Sequence, residues 1–331
     1  MKLVYLFLFS ILFFTGCSQK VIVTSFEPAK VDRASDVKKI SVLRFYRDDI
    51  GFTSKLETQI SKKEIMGKPY FTVLNRNQID EILEEQRLQY SGLVDKNTSV
   101  KIGQLLGVQG IISGEVVDSS VNKSYYKSPR TRCLDKKCKE VRVYYVSCTK
   151  ANYNLTVSMK ITDVQYGDII YADSISKVNS YSHCRDYSGG LPSFGYVMDN
   201  LGDKIISDFI SKISPNKRLM EVELIDSPEI DYNDEQEQLL EYSLEYIENG
   251  RLEKAEELLA KLLTSTNDKC YVAAYNLAVV KEVQGEYKFA KQLYDLADSL
   301  VLEPNKTLDK AVLRINKQIK DDAVIQEQIS K

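Results

Sequence analysis

The side chains with the most chemical potential in this chain are six cysteines and a single histidine. Four of the cysteines, Cys133, Cys138, Cys148 and Cys184, lie in the middle of the chain, in segments that read as β-strands of a meander. Cysteines that face each other on neighbouring strands lie close enough to form disulfides. Together with His183 they offer a second interpretation, a metal site. The strand register decides between the two.

Two turns predict that register. Residues 164–168 (VQYGD) suit a three-residue hairpin loop with Gly167 in the left-handed conformation. Pairing the first residue of this segment with the last places Cys148 directly opposite Cys184. A turn at residues 134–137 (LDKK) places Cys133 opposite Cys138, and it lays residues 110–118 against residues 153–161.

We therefore predict the disulfides Cys133–Cys138 and Cys148–Cys184, which an oxidising compartment permits. The alternative is a metal site of His183, Cys184 and Cys148, whose spacing is an imperfect match to zinc ligands. Cys270 lies in a helical region and is predicted to be a buried small hydrophobe.

Cys17 belongs to a different kind of site. Lys2 and the apolar residues 3–14, which only Ser10 interrupts, predict a signal peptide over residues 1–16, since the run is too short to span a bilayer. Residues 14–17 (FTGC) resemble a bacterial lipobox, in which the cysteine becomes the lipidated first residue. By analogy with such lipoproteins, Ser18 in place of Asp implies an outer-membrane anchor on the periplasmic face. An ordinary secretory signal is the alternative.

The elements that position these residues form two domains. Residues 17–38 are polar and predict a lipidated tether. Residues 39–216 predict an α/β domain with long β-hairpins. Its elements are strands at 39–45 and 70–74, helices near 53–63, 75–90 and 197–213, and the helix–turn–strand segment 91–117.

The hairpin around residues 123–142 is strongly basic. Its two interpretations are contact with an anionic surface, such as lipid headgroups or a cell-wall polymer, and a solvated hairpin whose edge charges prevent aggregation. The net charge of −2 for the whole chain argues against nucleic-acid binding. Eight basic residues (Lys123, Lys127, Arg130, Arg132, Lys136, Lys137, Lys139, Arg142) stand against Asp135 and Glu140, with Tyr125, Tyr126, Tyr144 and Tyr145 nearby.

The C-terminal part repeats. After a linker at residues 217–234, which contains a possible strand at 219–225, residues 235–331 are helical. Three pairs of small residues recur 35 positions apart, and residues 307–329 predict a capping helix. The pattern resembles tetratricopeptide repeats, which predicts a protein partner. The pairs are Ser243 and Ala278, Gly250 and Gly285, and Ala255 and Ala290.

Residues 71–116 resemble the CsgG-type curli production assembly/transport lipoprotein family, through EQ at 85–86, SGLVD at 91–95 and GQLLG at 103–107 before a strand. The resemblance implies an outer-membrane lipoprotein that self-associates into rings and contributes β-hairpins to one transmembrane pore. Relatives of similar fold stay periplasmic, including lipoprotein activators of peptidoglycan synthases. The hairpins lack the sustained apolar–polar alternation of transmembrane strands. A secretion subunit and a non-pore adaptor both remain open.

Catalysis has little support. The chain has no Gly-rich phosphate loop, no G-x-S-x-G and no H-E-x-x-H. A nucleophile pair of Cys148 and His183 is the remaining alternative. We expect a protein that is not an enzyme and holds no metal or cofactor. The expected fold class is an α/β (α+β) CsgG-like domain followed by a small all-α domain similar to tetratricopeptide repeats.

Overall fold

The computed structural model describes residues 19–74, 96–227 and 230–330. The predicted helix at residues 75–90 lies outside these ranges. The described strands are β1 (Lys20–Glu27), β2 (Lys39–Val42), β3 (Glu64–Ile65), β4 (Lys68–Pro69), β5 (Thr72–Val73), β6 (Gly110–Cys133), β7 (Val141–Asp163), β8 (Ile169–Cys184) and β9 (Asn216–Glu223). The described helices are α1 (Asp32–Ser35), α2 (Phe52–Ser61), α3 (Lys96–Leu106), α4 (Phe194–Ile213), α5 (Asp234–Glu248), α6 (Leu252–Ser265), α7 (Tyr271–Val283), α8 (Tyr287–Ser299) and α9 (Lys306–Ser330).

The chain divides into two compact units. Of the described residues, those within 28–216 and 325–330 form the sheet unit, and those within 19–27 and 217–324 form the helical unit. The protein is of the mixed α+β class, in which a sheet region precedes an all-helical C-terminal region. Among the described residues, none of the helices combines the length and apolar character that crossing a bilayer requires.

The sheet unit is built on five strands in the order β5-β2-β6-β7-β8. β2 runs parallel to β5 and β6, whereas β6, β7 and β8 are antiparallel and connected by hairpins. β7 alternates buried and partly buried residues from Ala151 to Ile161, as a strand with one face on a core must. Helix α4 covers that face, because its side chains Leu201, Ile205 and Phe209 are fully buried. The predicted helix at residues 197–213 is confirmed.

The predicted helix–turn–strand segment is also found. Helix α3 ends at Gly107, whose φ of +62° is the left-handed conformation that glycine adopts at helix ends. Ile102 and Leu106 of the helix pack with Ile111 of the following strand in one small core. Further along β6, the backbone at Gly114 lies close to its neighbours, since an added Cβ would meet Ser158 O at 2.2 Å.

The prediction of a tether over residues 17–38 is wrong from Lys20 onward. β1 occupies residues 20–27 and pairs with β9. Val23 is fully buried in the core of the helical unit, together with Val222. Four of the eight residues of β1 (Val21, Ile22, Val23 and Phe26) are apolar. The strand was missed because the strand that it pairs with lies about two hundred residues away in sequence. The possible strand at 219–225 is confirmed as the second half of this pair.

Besides the β1–β9 pair, the helical unit contains two helix pairs, α5–α6 and α7–α8, and most of α9. Equivalent positions in the pairs are 35 residues apart. Gly250 and Gly285 both have positive φ at the turns, and the small residues Ser243, Ala278, Ala255 and Ala290 are all fully buried. Small side chains at these positions let the helices of each pair approach closely.

Glu282 is the charged group at the centre of this unit. Its side chain is 0% exposed and accepts hydrogen bonds from Arg314 Nε at 2.7 Å and Arg314 Nη2 at 2.9 Å. Tyr294 donates its hydroxyl proton to the same carboxylate at 2.6 Å. Burial raises the pKa of the Tyr294 hydroxyl, so that it stays protonated and continues to donate. The network links α7, α8 and α9.

Candidate functional site: a disulfide-bonded β-arm

The long hairpins of the sheet unit extend beyond its core. No residue from 122 to 147 is buried. We call residues 123–150 together with residues 182–187 the arm. The pairing of β6 with β7 runs without interruption from Lys123 opposite Ala151 to Cys133 opposite Val141. At roughly 3.4 Å per residue, these eleven pairs give the arm a length of about 35 Å.

The predicted register of β6 and β7 is wrong. The connecting loop has seven residues, 134–140, where the sequence predicted a turn of four, and this displaces the outer pairs by three residues. Asp118 therefore lies opposite Thr156. A β-bulge between Val116 and Asp118 reduces this displacement by one residue. Gly110 therefore lies opposite Asp163, two residues from its predicted partner.

The loop at the end of the arm is closed by the Cys133–Cys138 disulfide. Asp135 Oδ1 accepts the backbone N–H of Lys139 at 2.7 Å, and Cys138 adopts a φ of +54°. Leu134 N–H donates to Glu140 O at 2.8 Å. Cys138 therefore bonds to Cys133 within the loop and does not face it across the ladder. The loop is compact because a disulfide, a side chain and the backbone all constrain it.

The second cysteine pair lies at the point where the third strand ends. Cys148 is directly opposite Cys184, in the register that the turn predicts, and the two are bonded. The turn has Gly167 at a φ of +68°. From here to the tip the arm has two strands, since β8 ends at Cys184. The structure thus brings together both predicted pairs of cysteines, Cys133 with Cys138 and Cys148 with Cys184.

Residues that pair across the strands lie on the same side of a sheet, and this gives the outer arm two different faces. One side, the valine face, presents Tyr125, Lys127, Pro129, Thr131, Val141, Val143 and Tyr145. The other side, the arginine face, presents Tyr126, Ser128, Arg130, Arg132, Arg142, Tyr144 and Val146. The apolar side chains of the valine face are solvent-exposed, including Val141 at 52% and Val143 at 55%. An exposed apolar strip of this kind is typical of a contact surface.

Arg130 holds the segment after β8 on the arginine face. Its Nε donates to Asp186 Oδ2 at 2.6 Å, and its guanidinium lies 5.4 Å from the ring centroid of Tyr187. Arg185 N–H also donates to Ser147 O at 3.1 Å. The hydrogen bond from Arg130 lowers the pKa of Asp186 below its ordinary value of 3.8. The charged clamp and the adjacent disulfide therefore fix the same segment.

Sequence reasoning missed the Arg130–Asp186 contact. Arg130 is one of eight basic residues in the hairpin, and nothing in its local pattern separates it from the others. Asp186 follows Cys184 by two residues. The position of Asp186 just beyond the predicted disulfide was the available signal, because the chain leaves the ladder there and can reach across β7 to Arg130 on β6.

Two arginines face each other further along the arm. Arg132 pairs directly with Arg142, and in the described part of the chain neither makes an ion pair. Like charges directly opposite each other on neighbouring strands destabilise the pairing. A bound anion relieves that repulsion, so the end of the arginine face is suited to an anionic surface.

The remaining predicted residues lie elsewhere. Cys17 falls outside the described residues. His183 pairs with Thr149 and therefore lies on the opposite side of the sheet from the bonded sulfur atoms of Cys148 and Cys184. Within residues 19–74, 96–227 and 230–330, no group of three or more His, Cys, Asp or Glu side chains is arranged to hold a metal ion.

Cys270 is buried, as predicted, but it is more than a small hydrophobe. Its sulfur accepts the backbone N–H of Ala273 at 3.2 Å and so caps helix α7. The Tyr232 hydroxyl lies 2.7 Å from the same sulfur. The thiol takes the place that a serine or aspartate commonly occupies at a helix start.

A cleft of about 490 Å³ lies beside the β7–β8 turn in the sheet unit. Arg33 of this cleft contacts Asp168 at 3.2 Å and Asp163 at 3.8 Å. Gln109 Oε1 accepts the backbone N–H groups of Lys38 and Lys39. These contacts stabilise the fold, and the arm presents the more distinctive chemistry.

Residues 62–190 match the model of the family described as "curli production assembly/transport component CsgG". The match covers the small β3–β4 hairpin, the helix–turn–strand segment and the whole arm. It spans less than half of the chain and ends before helix α4. The expected resemblance to this family is thus found in the part of the sheet unit that contains the arm.

Several solved structures are similar to parts of the chain. The LpoB C-terminal domain from Salmonella enterica has 12% identity and a TM-score of 0.27, over 43% of this chain and 83% of that one. Lipoprotein GNA1162 from Neisseria meningitidis has 12% identity and a TM-score of 0.28, over 51% and 99%. The PelC dodecamer from Paraburkholderia phytofirmans has 10% identity and a TM-score of 0.25, over 59% and 97%. No curated protein matches the sequence.

Proposed function

We propose that this protein is a non-enzymatic, lipid-anchored component of the bacterial cell envelope that acts in secretion or assembly as a CsgG-type protein. The observation that carries the proposal is the match of residues 62–190 to the CsgG family. The arm lies within that match, and its exposed chemistry is that of a contact surface. The sequence resemblance, including the lipobox at Cys17, supports the same function.

The anchor in this proposal is Cys17. Residues 3–14 serve as the apolar part of the signal peptide, and lipidation of Cys17 attaches the mature chain to the outer membrane on its periplasmic face. More than one acyl chain on a single residue meets the requirement for stable anchoring. The described chain begins only two residues later, at Gln19, and enters β1 at Lys20.

Metabolic labelling with palmitate tests the anchor. The wild type should take up label and fractionate with the outer membrane, whereas Cys17→Ala should take up none. Ser18→Ala is the matched control and should behave as the wild type. A Cys17→Ala protein that keeps its label and its outer-membrane location would overturn the anchor.

The strand edges support the proposed self-association. Among the described strands, β8 pairs on one side only, with β7, and beyond Glu115 the strand β6 also pairs only with β7. Unpaired strand edges are templates for pairing with another chain. An edge of β6 against an edge of β8 is a head-to-tail contact, which closes into rings when the rotation permits.

A second candidate, a non-pore periplasmic adaptor, is favoured by the chemistry of the valine face. Its apolar residues on β7 run only from Val141 to Tyr145, which at roughly 3.4 Å per residue is about 15 Å. Transmembrane strands of outer-membrane proteins carry an apolar band of about 25 Å. On this alternative the helical unit, with its repeats similar to tetratricopeptide repeats, recruits a peptidoglycan synthase.

Two measurements on the purified, intact protein separate the candidates. Ring particles in electron micrographs together with ion conductance in planar bilayers support the pore-forming secretion subunit. A protein that conducts no ions and co-sediments with a purified peptidoglycan synthase supports the adaptor.

A further inference from the structure

The tip of the arm, residues 132–142, concentrates exposed positive charge on a constrained loop. Asp135, one of the two acidic residues here, uses its carboxylate within the loop to accept backbone N–H groups. Lys136, Lys137 and Lys139 are exposed. Of the eight basic residues between Lys123 and Arg142, only Arg130 forms an ion pair within the described residues. The other cations are available to an external anion.

Exposed apolar side chains accompany these cations. Leu134 in the loop is 59% exposed, and Val141, Val143 and Tyr145 of the valine face follow directly along β7. Tyrosine combines an apolar ring with a polar hydroxyl and is favoured where an apolar phase meets water. The tip therefore offers lysines and arginines for an anionic layer, and leucine, valine and tyrosine for an apolar layer beside it.

We propose that the tip docks onto the surface of a lipid bilayer that contains anionic headgroups. Lysine and arginine side chains contact the lipid phosphates, while Leu134 and the valine face enter the boundary between headgroups and acyl chains. Each basic residue near an anionic surface strengthens binding by roughly five-fold. The apolar contacts select a bilayer over an anionic polymer, because a polymer in water has no apolar phase to receive Leu134 and Val141.

The two disulfides constrain the conformation of this surface. Cys133–Cys138 closes the loop, and Cys148–Cys184 joins the third strand to the two that continue to the tip. A contact surface that is already ordered loses less conformational entropy on binding than a flexible loop does. The proposal goes beyond the anchor at Cys17, because it concerns a second contact at a different part of the chain.

A fluorescence experiment tests the docking. The chain contains no tryptophan, so that Tyr145→Trp introduces a single probe on the valine face. Tyr166→Trp is the matched control, because Tyr166 lies in the β7–β8 turn and is 64% exposed, close to the 67% of Tyr145. The full-length protein is mixed with, or reconstituted into, vesicles of phosphatidylcholine with or without phosphatidylglycerol.

With phosphatidylglycerol present, we expect the emission of the Tyr145→Trp variant to shift to shorter wavelength and to be quenched by brominated lipid. The emission of the Tyr166→Trp variant should stay unchanged. Added salt should reverse the shift, since the charge contacts are at the surface.

Charge-removing variants then identify the residues responsible, each made in the Tyr145→Trp background. Replacing Lys136, Lys137 and Lys139 together by glutamine should weaken docking roughly hundredfold. The matched control replaces three lysines elsewhere in the sheet unit by glutamine and should leave docking unchanged. The control lysines are Lys62, Lys68 and Lys101, all of which are exposed.

Three results would overturn the proposal. Identical behaviour of the Tyr145→Trp and Tyr166→Trp variants in anionic vesicles excludes docking of the tip. An equal shift with pure phosphatidylcholine excludes the role of the charges. Binding of the protein to purified peptidoglycan that depends on the three tip lysines, without a vesicle response, assigns the tip to a cell-wall polymer. Because unlipidated protein can be added to vesicles from outside, failure of the Cys17 anchor leaves this test intact.

Discussion

The two disulfides of the arm should contribute unequally to stability. Cys148–Cys184 links β7 to β8 and closes a loop with a sequence separation of 36 residues, whereas Cys133–Cys138 closes one of 5. A disulfide stabilises a fold largely by restricting the unfolded chain, and the effect grows with the logarithm of loop length. Removing each pair by alanine substitution separates the two contributions.

The loop lengths set the magnitudes. Loss of Cys148–Cys184 should cost about 4 kcal/mol, and loss of Cys133–Cys138 about 2 kcal/mol. Since a tenfold change in an equilibrium constant corresponds to about 1.4 kcal/mol, the unfolding constants should rise several hundredfold and about thirtyfold. The larger effect should reach the whole sheet unit, because β7 and β8 form part of its core.

Hydrogen exchange with mass spectrometry measures this unit separately from the helical unit. Peptides from residues 151–163 of β7 report opening of the core, and peptides from residues 134–140 report the loop. We expect Cys148→Ala/Cys184→Ala to lower protection of the core far more than Cys133→Ala/Cys138→Ala does. Equal losses in the core, or a larger loss from the tip pair, would refute the argument from loop length.

Three further predictions concern single contacts. Arg314→Met leaves the buried carboxylate of Glu282 without its cation and should lower the free energy of unfolding of the helical unit by about 3–5 kcal/mol, measured by urea unfolding with far-UV circular dichroism. Replacing both residues by methionine should recover most of this loss. A double variant as unstable as the single one contradicts the reasoning. Because Arg130 lowers the pKa of Asp186 in the folded chain, their contact should be present above pH 3.8 and be lost as pH falls through the lower folded value. A carboxyl NMR titration should find the Asp186 pKa raised toward its ordinary value in Arg130→Gln, and an unchanged pKa contradicts the clamp. Gly114→Ala should cost about 2–3 kcal/mol in thermal unfolding because its Cβ meets Ser158 O and the Phe45 ring, and a wild-type melting temperature would exclude the close approach.

The arm illustrates which parts of this fold are predictable from sequence. The turn at residues 164–168 has a short loop with a glycine in its required position, and the register derived from it places Cys148 opposite Cys184 as observed. The other hairpin has a seven-residue loop and a β-bulge at Val116. No local sequence signal fixes the length of the loop or the position of the bulge. The predicted β6–β7 register is therefore displaced, although Cys133 and Cys138 are bonded to each other.

Contacts between distant segments were the least predictable. β1 reads as a polar tether because the strand that it pairs with lies near the start of the C-terminal part of the chain. Glu282 reads as an ordinary charged residue of a helix until Arg314, on another helix, is placed beside it. Periodicity predicts which face of an element is buried, but it does not name the partner that satisfies a buried charge.

The positions of the two disulfides indicate that the arm keeps an ordered structure without a hydrophobic core of its own. The arm loses strands in two steps, from three to two where β8 ends and from two to none where the β6–β7 ladder ends. Each step coincides with a disulfide, first at Cys184 and then at Cys133. A two-stranded hairpin without a hydrophobic face packed on a core is marginally stable in water. Cross-links at these two places compensate for the missing core and keep the tip ordered. Because solubility alone requires no such ordering, the arm is best explained as a part that makes a specific contact beyond its own chain.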